Sequence, residues 1–207
     1  MARSKSARKA DILDAAVKVF AAHGLKATIR MVGQAAGVNS AVMYYYFENK
    51  QVLFTESIRM VLSGFLAHLA GTRREFHDGQ DRIRYLVDGV MDYGATHPDG
   101  IKLISVAMIL HADLYGQVMS DIFKRKIPLP LEVLMEGMRK GEIRETNPIL
   151  AWLNILGACI FNLHTRQVMQ FVHAPLPLPS ADVGQRKAAL TGFLLDGLAV
   201  IKKTKRS

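Results

Sequence analysis

"GVNSAVMYYYFENKQVLF", residues 37–54, places a run of small residues ahead of three consecutive tyrosines and closes the group on a phenylalanine and a lysine. Gly37 suits a tight turn that needs positive φ, and Asn39 or Ser40 can cap a helix running to about Phe47. At about 100° per residue, Met43 and Phe47 fall one turn apart on one face, which predicts that they pack inward. Ala41, Tyr44 and Tyr45 gather on the opposite side, with Val42 and Tyr46 at its edge. Three consecutive tyrosines cannot share one helical face, and a core has no use for a row of hydroxyls that each need a partner. A helix docked in a DNA major groove explains the order. Small residues let the backbone approach base edges, Ala41 and Val42 can touch thymine methyls, and Asn39 and Ser40 offer hydrogen bonds. Phenols reach phosphates, and Lys50 falls near the start of the next helix, where both charges favour an anion.

Upstream, "DILDAAVKVFAAHG" (residues 11–24) puts Ile12, Ala16, Val19 and Phe20 on one stripe, an amphipathic helix expected from about Asp11 and stopped at Gly24. Thr28 can cap a second helix, "IRMVGQAA", whose Ile29, Val32 and Ala36 share a face. That helix is short and contains Gly33, so it must be held by its neighbours. Two short helices joined by a glycine-containing turn make a helix-turn-helix candidate.

The charge agrees with this placement. Of a formal net charge of +9, residues 1–50 carry eight Lys/Arg against three Asp/Glu, "KKTKRS" at 202–207 adds four positive charges, and residues 51–201 hold fifteen of each sign. A basic excess at the ends of a neutral body suggests a polyanion-binding module. One cysteine in 207 residues excludes an internal disulfide and fits a reducing compartment. The basic start lacks a signal-peptide stretch, and the longest apolar runs, "LISVAMIL" and "ILAWLNILGACIF", fall short of the ~20 residues of a bilayer span. The expectation is a cytoplasmic protein with no membrane partner. Catalysis has little support: Cys159 lies in an apolar helix with His164 five residues on and no carboxylate in the motif, and no phosphate-binding glycine loop or "HExxH" is present. The seven histidines are scattered, so neither a metal nor a cofactor is expected.

Residues 12–54 resemble the DNA-binding domain of the tetracycline-repressor (TetR) family of transcriptional regulators, through "ILDAA", the "AGV" turn, "YYYF" and "NK..LF". The resemblance implies an all-α homodimer, usually a repressor, released from a palindromic operator on double-stranded DNA by a small-molecule effector. It divides the chain into a helix-turn-helix DNA-binding domain, residues 1–50, and a helical ligand-binding and dimerisation domain, residues 51–207. It places DNA contacts on Thr28, Arg30, Asn39, Ser40, Ala41, Tyr44, Tyr45, Tyr46 and Lys50. Three departures stand out. The lead-in to the second helix is one residue shorter than usual, Met31 replaces the usual acidic residue, and Asn39-Ser40-Ala41-Val42 lacks a common basic contact.

Beyond Phe54 the pattern is helical throughout. Pro128 and Pro130 should break the long segment from Leu114, Gly141 should stop a helix, and Asn147-Pro148 should start the next. Helices over roughly 148–172 and 183–203 flank the loop "HAPLPLPSAD". The last carries Ala189, Phe193, Gly197 and Ile201 on one ladder and Leu190, Leu194 and Leu198 on the next. With Gly157 and Ala158 on the earlier helix allowing close approach, a four-helix homodimer interface follows. Effector contacts are expected among Phe65, Tyr93, Met108, His111, Met119, Phe123 and Trp152, whose soft apolar groups with a few polar tips suit a hydrophobic ligand. The competing reading is a helical ligand-binding or adaptor protein whose basic arm meets an acidic partner or a membrane surface; it leaves "NSAVMYYYFENK" unexplained.

Overall fold

The computed structural model describes residues 5–169, 171–172 and 182–198, and among these the regular elements are α-helices with one short 3-10 turn. The helices are α1 (Lys5–His23), α2 (Ile29–Ala35), α3 (Ser40–Tyr46), α4 (Lys50–Gly71), α5 (Gly79–Thr96), α6 (Pro98–Leu110), α7 (Ala112–Arg125), α8 (Leu129–Arg139), α9 (Pro148–Met169) and α10 (Val183–Leu198), with the 3-10 turn at Gly24–Lys26. The all-α expectation holds. Helix α1 begins six residues earlier than expected, because "KSARKA" contains no breaker and simply continues the helix outward from its apolar stripe. The break at Pro128–Pro130 falls between α7 and α8 as expected. The loop after Val172, apart from Asp182, and Ile201 lie outside the described residues.

Contacts divide the chain into two compact units, Met1–Phe65 with His97–Lys126, and Leu66–Thr96 with Ile127–Ser207. In the first, α1 packs on α2 and α6. Ile12, Ala16 and Phe20 are buried, and the Phe20 ring meets Phe54 edge-on at 5.1 Å. Asn49 caps α4, its Oδ1 accepting from Val52 N at 2.9 Å. Helices α6 and α7 meet at 113° about His111, whose ring stands edge-on to Phe54 at 5.3 Å. Helix α6 is buried along its length but not at its end: Ile101, Leu103, Ile104 and Ala107 are buried, while Met108, Ile109 and Leu110 are exposed.

In the second unit α5 packs against α8, α9 and α10. The apolar face of α5, Ile83, Leu86, Val87, Val90 and Met91, is buried, and a charged residue is buried beside it. Arg82, with 1% of its side chain exposed, donates from Nε to Glu142 at 2.6 Å and places Nη2 at 3.3 Å from Glu136. Its guanidinium lies 4.8 Å over the Phe76 ring. The neighbouring cations hold the Glu136 carboxyl down at about 2, Lys140 contributing most and Arg82 next. Such an arrangement ties α5 to α8 and to the chain that follows it, because a guanidinium stays charged out of water and needs carboxylate partners to offset its lost hydration.

One sequence expectation needs correction. Counting unbroken apolar runs predicted no stretch able to cross a bilayer, yet α4 and the 19 residues Pro148–Arg166 of α9 are long and apolar enough by length and composition. The count missed them because Thr55, Glu56, Ser57 and Arg59 in α4, and Asn154, Asn162 and His164 in α9, interrupt the runs without making the helices polar on average. In α4 the apolar residues Leu53, Phe54, Ile58, Val61 and Leu69 are buried within the fold.

Candidate nucleic-acid interface

The interface is built on α2, the turn and α3. Thr28 precedes α2 in extended conformation, and its Oγ1 accepts from Met31 N at 3.2 Å. With Met31 in place of an acidic residue, Thr28 caps alone; its hydroxyl proton stays available to donate outward. Gly37 turns the chain at φ +65°. Asn39 then caps α3, Oδ1 accepting from Val42 N at 3.0 Å, which leaves its amide N–H groups as outward donors.

Gly33 explains why so short a pair of helices fits together. Its amide-plane neighbour is the turn itself: Val38 N donates to Gly33 O at 2.8 Å, and a Cβ on Gly33 would stand 2.9 Å from the Val38 carbonyl oxygen and 3.4 Å from Met43 Cγ. The residue that weakens α2 as an isolated helix is the one that lets the turn and α3 close on it.

Helix α3 divides as its periodicity predicted. Met43 and Phe47 are buried, whereas Tyr44 is 59% and Tyr45 66% exposed. Ser40, Ala41 and Asn39 are exposed on the leading end. Tyr46 is half-buried, its ring edge-on to Tyr45 at 5.1 Å and tilted on Phe47 at 6.4 Å. Thr28 and Arg30 are exposed on α2. Lys50 opens α4, and its Nζ donates to Leu25 O at 2.6 Å, which ties α4 to the 3-10 turn and leaves two ammonium protons for other acceptors.

Sequence reasoning missed the part played by the first turns of α1. Lys5 Nζ lies 4.7 Å from the Tyr45 ring centroid, and one turn on Lys9 Nζ lies 5.5 Å from that of Phe47 and 3.6 Å from Glu56 Oε2. Hydrogen bonding to Tyr45 holds the Lys5 ammonium above its ordinary value. The signal was there in "KSARK", with two lysines four apart, but the start assigned to α1 at Asp11 left them off the helix.

The candidate effector residues fall in both units. Phe65, Met108, His111, Met119 and Phe123 belong to the first, with Met108 and Phe123 exposed and His111 packed on Phe54. Tyr93 and Trp152 belong to the second; Tyr93 is buried with its ring tilted on His68 at 5.7 Å, and burial raises its phenol. A groove of about 520 Å³ runs along α9 and α10 in the second unit, lined by Phe161, Asn162, Arg186, Ala189, Leu190 and Phe193 among others. Arg186 spans these helices, its Nη1 donating to Asn162 O at 3.2 Å. Cys159 is buried, and its thiol is pushed up to about 12 by burial and secondarily by Asp88, so it is held protonated at neutral pH. Among the described residues no group of three or more His, Cys, Asp and Glu side chains could hold a metal ion.

A capped helix that exposes small and phenolic residues behind a positive-φ glycine, braced by a second short helix and flanked by lysines, defines a helix-turn-helix DNA-binding protein. Comparison with known proteins agrees with that class. Residues 12–56 match the family "Bacterial regulatory proteins, tetR family". The chain is 29% identical over 163 residues to the HTH-type transcriptional repressor NicS of Pseudomonas putida, covering 75% of this chain and 76% of that one. Its fold is similar to FadR of Bacillus halodurans, a fatty acid degradation regulator, with a TM-score of 0.71 at 22% identity over 93% of this chain and 97% of that one. It is also similar to FadR of Bacillus subtilis, solved in complex with stearoyl-CoA, with a TM-score of 0.69 at 19% identity over 91% and 98%. The match to the tetR family of bacterial regulatory proteins covers residues 12–56, and the similarity to a transcriptional repressor extends over 75% of the chain.

Proposed function

We propose that the protein is a homodimeric repressor that binds a palindromic operator and is released from it by a small hydrophobic effector. The observation that carries the reading is the outward face of α3, where Asn39, Ser40 and Ala41 lead and Tyr44 and Tyr45 follow, all exposed beside Lys50. In the docked complex Asn39, Ser40 and Ala41 meet base edges, while Thr28, Arg30, Tyr44, Tyr45, Tyr46 and Lys50 serve the backbone or the groove edge. Residues 1–50 act as the DNA-reading module and residues 51–207 as the ligand-binding and dimerisation body.

The homodimer is supported by what α9 and α10 leave uncovered. Leu150, Leu153, Phe161 and Val168 on α9 are exposed at helical spacing, and Phe193 on α10 is 74% exposed. Gly157, Gly192 and Gly197 have open space where a side chain would stand. Leu190 and Leu194 turn inward instead, so α10 uses one face for its own subunit and offers the other. A wide apolar surface of this kind on a soluble regulator calls for a second copy. An isologous pair sets two recognition helices about 34 Å apart, in successive major grooves.

The effector is read as hydrophobic from the apolar, methionine-bearing candidates and from the stearoyl-CoA bound by a protein of similar fold. It acts by favouring the arrangement in which the recognition helices are misplaced. Phe161→Glu combined with Phe193→Glu tests the assembly: light scattering should report a monomer that has lost its preference for a full palindrome over a half-site. A variant that stays dimeric and binds the palindrome unchanged contradicts the interface.

A further inference from the structure

The DNA contacts assigned above all lie on α2, α3 and the start of α4, yet α1 sends a cation to the same surface. Lys9 fixes the first turns of α1, with its ammonium between Glu56 of α4 and the Phe47 ring at the end of α3. One turn earlier Lys5 emerges beside the exposed face of α3, its Nζ 4.7 Å from the Tyr45 ring centroid. Lys5 and Tyr45 are both exposed, so the pairing buries no surface that a core would need. Among the described residues no carboxylate pairs with Lys5, in contrast to Lys9. A positive charge held against an exposed phenol, on the face that carries the recognition residues, brings together the two kinds of donor an anion site uses, one ionic and one neutral.

We propose that Lys5 and Tyr45 together form a phosphate clamp, in which the ammonium and the phenol hydroxyl hold one and the same phosphate of the operator backbone. Lys9 acts as the positioning residue that sets α1 for it. The inference rests on the DNA-binding reading above. It differs from that reading in assigning α1 a direct contact and in making two residues on separate helices act as one unit.

The test is binding of the full-length dimer to its selected operator as a function of salt. Each phosphate neutralised contributes about 0.9 to the slope of log affinity against log salt, so Lys5→Ala should lower the slope of a dimer by about 1.8. Between 50 and 200 mM salt the advantage of the native chain over Lys5→Ala should then shrink about twelvefold. Lys5→Arg should restore the slope, and Lys102→Ala, which removes an exposed charge from α6, should leave it unchanged. Tyr45→Phe keeps the ring and removes the hydroxyl. Because both groups serve one phosphate, the double variant Lys5→Ala with Tyr45→Phe should weaken binding by less than the product of the two single effects.

An unchanged slope in Lys5→Ala overturns the clamp, as does an equal drop in Lys102→Ala, which would mark a general charge effect. Multiplying effects in the double variant mean two separate phosphates and also overturn it. Native protein that selects no operator would remove the DNA reading and the clamp together, which distinguishes that failure from the others.

Discussion

Replacing Gly33 by alanine tests whether the close approach of the turn to α2 sets the position of the recognition helix. The added Cβ would stand 2.9 Å from the Val38 carbonyl oxygen, nearer than such contacts occur, so the turn must retreat by a few tenths of an ångström. It cannot retreat freely, because Val38 N donates to Gly33 O at 2.8 Å and Gly37, just before Val38, is itself turned at φ +65°. Two effects oppose each other. Alanine in a helix interior is better than glycine by about 1 kcal/mol, and overpacking costs about 1–3 kcal/mol. The balance is a loss of roughly 0–2 kcal/mol, which for a chain of this size lowers Tm by no more than about 8 °C. Operator binding should suffer more than stability, because α3 follows the turn: a misplaced base contact costs about 1–3 kcal/mol, or roughly 5–150-fold in affinity for each one lost. Phosphate contacts are more forgiving, so the salt dependence and the affinity for bulk DNA should stay near native. Fluorescence anisotropy on operator and on random duplex, alongside thermal unfolding, measures all three. A Gly33→Ala chain that is more stable than native and binds the operator equally well would refute the idea that this approach positions α3.

Asn39 has two tasks that substitution can separate. Asn39→Ala removes the cap and the amide donors, costing about 1 kcal/mol of stability and relaxing preference at one base pair of each half-site; Asn39→Ser should restore the stability and leave the preference relaxed, as read by binding to single-base operator variants. Glu136, held at about 2 against an ordinary 4.5, favours the folded state above about pH 4.5, and that contribution is lost as pH falls toward 2. Urea midpoints should therefore fall more steeply between pH 4.5 and 2 in the native chain than in Glu136→Gln, and parallel curves would contradict the ion-pair assignment. Cys159, buried with its thiol near 12, should resist a neutral-pH thiol reagent in the folded protein and react promptly in denaturant; fast labelling of the native state would show the site to be open.

The division of α3 was legible because it depends only on periodicity: Met43 and Phe47 inward, Tyr44 and Tyr45 outward. The stops at Gly24, Gly37 and Gly141 and the caps at Thr28, Asn39 and Asn147 were legible because backbone sterics and local hydrogen bonds are written within a few residues. Contacts made by long polar side chains across the fold were not. Nothing local says that Lys50 reaches Leu25, that Lys5 lies over Tyr45 or that Arg82 turns inward to Glu142 and Glu136, since each depends on which helix lies opposite. An apolar stripe likewise shows that a face is covered without saying by what. The nearly unbroken apolar run "LISVAMIL" thus gives no sign that its end, Met108–Leu110, is exposed.

The central claim is that this chain reads a DNA sequence through two copies of α3. Selection of random duplexes by the purified protein, stripped of bound ligand by unfolding and refolding, tests it most directly. The account predicts enrichment of one palindrome whose half-sites lie about one helical turn, or a multiple of it, apart, with preference lost when Ser40 or Ala41 is changed. Retention of duplexes without sequence preference, or enrichment of a single unpaired half-site, would contradict it.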